Sequence, residues 1–154
     1  MAVTISGDTG ISAVQTGAVE SGDLPSEAYQ KNNILGTVSE SSGVPTGAII
    51  ERGSNANGEF VKYADGTMIC FLSSFTLSAD NNEGTGSTRT YPATFSANPM
   101  VFGQSLGGDF SNWSSRFVFG VQTRSTTTCV VGIWNTIGAT ETMNIQVMVI
   151  GRWY

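Results

Sequence analysis

Glu59-Phe60-Val61-Lys62-Tyr63-Ala64-Asp65-Gly66-Thr67-Met68-Ile69-Cys70-Phe71-Leu72 contains two runs rich in β-branched and aromatic residues, separated by Ala64-Asp65-Gly66. Asp and Gly tolerate the backbone angles of a tight reversal, so this stretch predicts a β-hairpin. Upstream, Ala48-Ile49-Ile50-Glu51-Arg52-Gly53 reads as a short apolar strand ending in a glycine turn, and Ser54-Asn55-Ala56-Asn57-Gly58 as the polar loop into the hairpin. Downstream lie four more strand candidates: residues 100–106, 116–122, 127–135 and 143–153. Alternation assigns their faces: Phe117, Phe119 and Val121 share one, as do Cys129, Val131 and Ile133, and Met143, Ile145, Val147 and Val149. About six short strands separated by Gly-rich turns predict an all-β fold, an antiparallel β-sandwich. Residues 79–87 read as a long, exposed, mobile loop because they hold no aliphatic anchor.

Composition agrees and removes several functions. Of 154 residues, 12% are charged, 40% are hydrophobic and 19 are glycine, which suits a turn-rich β protein better than a helical bundle or a disordered acidic chain. A net charge of −5 with seven scattered basic residues argues against binding nucleic acid, where Lys and Arg must neutralise phosphates. The chain has no histidine, so Ser-His-Asp and Cys-His catalysis and the commonest transition-metal ligand are absent. No cofactor is expected. Cys70 and Cys129 lie among apolar strand residues and read as small buried hydrophobes, with a bridge between them as the alternative. Neither a basic, apolar N-terminal signal nor a membrane-length apolar run is visible, so synthesis in a cytoplasm without membrane insertion is expected.

The two ends of the chain differ. Before Phe60 the only aromatic is Tyr29, whereas all eight Phe and all three Trp come from Phe60 onward. Large aromatics supply much of the apolar area a small domain buries, so the N-terminal part needs a partner to become ordered. The expected division is an N-terminal arm, residues 1–46, and a C-terminal sandwich, residues 47–154. The arm reads as extended, with a short helix over Leu24-Pro25-Ser26-Glu27-Ala28-Tyr29-Gln30-Lys31 that Ser26 would cap, and no helical periodicity beyond Lys31. Composition leaves two readings open for it, a flexible linker or an intertwined stalk of identical chains.

Three segments carry a resemblance. The stretch from Ser54 to Cys70, with its Asn-Ala-Asn-Gly-Glu-Phe core, and the ending Val147-Met148-Val149-Ile150-Gly151-Arg152-Trp153-Tyr154 resemble segments of phage and prophage tail-fibre proteins. Tyr91-Pro92-Ala93-Thr94-Phe95 with Asn98-Pro99-Met100-Val101 is similar to the entry of H-type lectin-like sandwiches. The resemblance covers residues 47–154. It implies a six-stranded sandwich assembled as a homotrimer at the distal end of a tail fibre, joined through its arm to other tail or baseplate proteins. It also implies sugar binding near subunit interfaces through Asp109, Arg116 and Trp134. The chain departs from the lectin pattern in lacking histidine and in inserting Leu106-Gly107-Gly108.

Residue chemistry points to the same region. Gly107-Gly108-Asp109-Phe110-Ser111-Asn112-Trp113-Ser114-Ser115-Arg116 gathers aromatic faces, an amide and a charged fork, the groups that grip a pyranose and its vicinal hydroxyls. Asp109, Asn112, Trp113, Arg116 and Trp134 are therefore the candidate ligand-binding residues. The competing reading turns Phe110 and Trp113 inward to close the sandwich, with Asp109 and Asn112 shaping turns. Trp134 falls opposite the Cys129, Val131 and Ile133 face, and so points outward or into a subunit interface. Arg152-Trp153-Tyr154 is expected to pack on a neighbouring subunit. Asn55 and Asn57 either line an axial ion site or bend their loop.

The expected function is non-enzymatic: adsorption of a virion to a host surface glycan or protein, with multivalency raising weak contacts. One rival is a structural fibre segment that touches no receptor. The other is a glycan depolymerase using paired carboxylates, which Asp109 and Glu141, the only acidic residues after Glu83, would have to supply.

Overall fold

The computed structural model describes residues 31–106, 117–136 and 139–154. Chain contacts group residues 32–154 into one unit and residues 1–31 into another. Within the first unit the hairpin read from sequence is present: β4 (Gly58–Tyr63) pairs antiparallel with β5 (Thr67–Leu72), setting Phe60 opposite Cys70 and Val61 opposite Ile69. Asp65 closes the turn by accepting the Thr67 amide at 2.8 Å, and Gly66 takes a φ of +89°, a left-handed conformation that glycine adopts without steric cost. β3 (Ile50–Asn55) extends the pair. Between β3 and β4, Asn55 bends the loop by accepting the Asn57 amide, and its own amide donates to the Pro92 carbonyl, so the bend reading holds.

β11 (Glu141–Arg152) organises the larger sheet. One of its edges takes β6 (Phe75–Ala79) along residues 141–145 and then β5 along 148–152, while its other edge takes β8 (Met100–Leu106). β5 and β6 thus lie end to end. They are separated only by Ser73 and Ser74, where Ser73 leaves the ladder to donate its amide to Asn57. The second sheet is β7 (Gly84–Thr90), β10 (Thr128–Asn135) and β9 (Phe117–Arg124), with β10 in the middle.

The antiparallel sandwich is as expected, and among the described residues its two sheets hold nine strands. β6 escapes the sequence reading because it follows β5 after only two residues. Residues 84–87, expected in a mobile loop, belong to strand β7: Thr85, Gly86, Ser87, Thr88 and Arg89 have little intrinsic reason to extend, and it is pairing with β10 that orders them. Of the expected loop, residues 80–83 form the turn from β6 to β7.

The inward faces are those alternation selects. Met68, Cys70 and Leu72 of β5, Leu77 and Ala79 of β6, Cys129, Val131 and Ile133 of β10, and Met143, Ile145, Val147 and Val149 of β11 form one buried cluster, completed by Tyr91 and Phe95. Phe119 and Val121 pack against it from β9. Fully burying side chains of this size contributes roughly 1.5–3 kcal/mol each, ample reason for one register to win. Tyr91 and Phe95 meet edge to face at 5.4 Å between ring centres. Both cysteines are free and buried. Burial pushes the Cys70 thiol up to about 11 and also raises Cys129 and the Tyr91 phenol, so all three stay neutral near pH 7.

Residues 31–50 dress one edge of the larger sheet. A single helical turn, α1 (Lys31–Ile34), continues past the end of the predicted helical stretch, whose residues 24–30 lie outside the described residues. Leu35 then bridges Ile50 in parallel, and the Gly36 amide donates to the Ile50 carbonyl, covering part of the β3 edge. β1 (Glu40–Ser41) and β2 (Val44–Pro45) form a small hairpin turned by Ser42 and Gly43.

At the opposite end of the chain the structure gives Trp153 and Tyr154 partners within their own chain. Trp153 packs against the core of its own chain and donates its indole N–H to the Tyr63 carbonyl at 2.8 Å, and Tyr154 donates its hydroxyl to Ala64. The Tyr63 carbonyl also accepts the Gly66 amide within the turn, so Trp153 adds a second donor to it, while Tyr154 supplies a donor to Ala64.

Candidate ligand-binding surface

Of the predicted site residues, the described residues include one. Asp109, Asn112, Trp113 and Arg116 lie outside them, in the segment that leaves β8 after Leu106 and returns as β9 at Phe117. Trp134 stands on β10, opposite the buried Cys129, Val131 and Ile133, and is 49% exposed on the outer face of the three-stranded sheet. Its outward direction was legible from alternation alone.

What surrounds Trp134 was not. Its backbone pairs with Gly84 of β7 on one side and Val118 of β9 on the other. The next outward-facing row is Gly86, Gly132 and Gly120, one residue from each strand. Beyond it, Val130 pairs with Thr88 and Thr123, and a register shift in the β9–β10 ladder leaves Gln122 without an opposite residue. Side chains stand at both ends of a bare middle row. The outcome is an open cleft of about 290 Å³ lined by Trp134, Val118, Gln122 and the glycines. Among the described residues no charged side chain lines it.

The larger sheet exposes a second surface. Met148 of β11 lies opposite Phe71 of β5 and Phe102 of β8, making a row of three large apolar side chains across three strands, exposed by 36, 48 and 45%. Ile150 and its partners Ile69 and Met100 form the adjacent row. On the other side Gln146 accepts a hydrogen bond from the Gln104 amide at 3.3 Å. Phe71, Phe102, Met148, Gln104 and Gln146 border an open groove of about 430 Å³, lined by no charged side chain among the described residues. At its margin lie Glu59 and Arg52, both exposed and neither in an ion pair among the described residues. Sequence reasoning passed over this face, although its signal is present: Met148 and Phe71 are large apolar residues in the phase opposite the core, where a solvated sheet would carry polar ones.

Among the described residues no group of three His, Cys, Asp or Glu side chains is placed to hold a metal ion. Both surfaces are chemically suited to noncovalent contact: one offers an aromatic ring and an amide over bare backbone, the other a broad uncharged apolar patch.

No protein-family model matches the chain, and no curated protein does. Solved structures do. The structure of an N-truncated R1-type pyocin tail fibre superposes with a TM-score of 0.51 at 22% identity, over 64% of this chain and 82% of that one. The P. aeruginosa R1 pyocin fibre comprising C-terminal residues 323–701 gives a TM-score of 0.53 at 18% identity, over 91% of this chain and 44% of that one. The chain therefore spans less than half the length of that second fibre fragment. The sandwich built here from two packed antiparallel sheets is a fold that this chain shares with R1-type pyocin tail fibres.

Proposed function

We propose that this chain is the host-contacting module of a phage or phage-derived tail fibre, acting as a homotrimer within the virion or tail particle. The observation that carries the reading is the uncharged face of Phe71, Met148 and Phe102 on a sandwich of tail-fibre fold. A lone soluble domain rarely leaves so continuous an apolar sheet face in water, whereas three copies of a fibre tip would bury it between them. Charge complements this packing, since Arg52 and Glu59 at the margin can pair between copies. Residues 1–46 are the arm that joins other tail or baseplate proteins, and residues 47–154 the receptor-binding domain.

The activity is adsorption rather than catalysis: an H-type lectin-like tip binding a host surface glycan through Asp109, Asn112, Trp113, Arg116 and Trp134. Three weak sites on one rigid tip gain avidity without any single contact being strong. The test is adsorption of labelled, purified protein to a panel of bacterial strains, read by flow cytometry, with its mass taken from light scattering. A trimer that coats some strains and blocks attachment of the corresponding tailed particle is the expected result. A monomer, or a trimer that coats none, overturns the reading, and reducing-sugar release from strain polysaccharide would replace adsorption with depolymerisation.

A further inference from the structure

The cleft beside Trp134 has features that the packing of this chain does not require. Two of its glycines make the comparison. A β-carbon added at Gly84 would come within 2.7 Å of the Trp134 indole, so the bare backbone there seats the ring against the sheet while leaving about half of it in solvent. At Gly120 an added β-carbon would meet nothing within 4 Å. Glycine in a strand weakens it, and here no neighbouring atom demands one. What Gly120 preserves is the depth of the cleft.

The lining also restricts what can enter. Trp134 and Val118 offer an apolar wall and Gln122 an amide able both to donate and to accept, and among the described residues no charged side chain lines the cleft. A flat ring with one apolar face and several neutral hydroxyls matches each group in turn. A charged ligand would leave its solvation without compensation.

We propose that this cleft is a binding site for a neutral saccharide ring, stacked on Trp134 over the floor at Gly120 and hydrogen-bonded by Gln122. The inference rests on the glycan reading above and adds Gln122 and the floor at Gly120 to the Trp134 contact named there. Gly120→Val is the discriminating change: its β-carbon meets nothing within 4 Å, its two methyls take up cleft volume, and it adds a β-branched residue to a strand. Trp134→Ala serves as the second variant should the first fold poorly.

The full-length protein and both variants would be compared on an array of neutral and acidic oligosaccharides, with light-scattering mass and thermal melts run on each. Binding of the parent to neutral sugars, weakened about tenfold or more in either variant at unchanged mass and melting temperature, is expected. Equal binding by well-folded variants overturns the cleft and leaves the glycan reading standing. Binding confined to acidic sugars overturns the neutral ligand. A variant that changes the mass makes the cleft a contact between copies. A parent that binds no sugar on the array overturns this inference, and adsorption of the same protein to whole cells then decides the adsorption reading separately.

Discussion

In the trimer we propose, replacing Phe71 by Ser should dissociate the assembly without unfolding its subunits. Phe71 is 48% exposed in the single chain, so roughly half of its surface, on the order of 100 Å², remains to be covered by another copy. At ~25 cal/mol per Å² that coverage contributes about 2.5 kcal/mol per subunit, or about 7 kcal/mol in a trimer. Since 1.4 kcal/mol is a factor of ten, the association constant should fall by about five orders of magnitude, a loss that moves a tight trimer into the measurable range. The subunit itself loses less, because Ser at a half-exposed strand position removes little internal packing. Sedimentation velocity over a dilution series is the assay, together with melting temperature against protein concentration. The variant should show a monomer fraction that grows on dilution and a melting temperature that rises with concentration. A trimer as dilution-resistant as the parent, or a melting temperature lowered equally at every concentration, would refute the argument, since either places Phe71 outside the interface.

Ile145 is fully buried in the single core, so Ile145→Ala should cost about 2–5 kcal/mol, seen as a lower denaturation midpoint with little change in slope. Both thiols are buried and held neutral, Cys70 with a value pushed up to about 11, so a thiol reagent at pH 8 should leave them untouched in the native protein and titrate two in denaturant; fewer than two in denaturant would mean the pair had been oxidised. Asp65 is held below its ordinary value of 3.8 mainly by the Thr67 amide and hydroxyl. A depressed carboxylate stabilises the fold above its unfolded value and loses that contribution as the pH falls through the folded one. The melting-temperature gap between the parent and Asp65→Ala should therefore be full at pH 6 and close progressively below about pH 3.8.

The fold was legible where local pattern and tertiary demand coincide. Alternation in residues 143–149 and 129–133 named the buried faces because a strand has only two sides and one of them must leave water. The Asp65-Gly66 turn was equally readable, since its chemistry is contained in its own residues. Strand β7 was not, because a Gly, Ser and Thr segment extends only when β10 supplies the hydrogen bonds. The roles of Trp153 and Tyr154 depended on carbonyls 90 residues earlier in the chain, a distance no local pattern encodes.

The candidate surfaces divide in the same way. Sequence by itself determined that this would be an antiparallel β-sandwich with its aromatic core in the C-terminal part, and that Trp134 would point away from that core. Only the tertiary structure decided what Trp134 stands beside. Gly86, Gly120 and Gly132 are scattered along the chain and acquire a common meaning when three strands align them, and Phe71, Phe102 and Met148 become one surface only through β11. The physical reason is that side-chain phase along a strand is local, whereas the register between strands is fixed by burial of the whole core at once.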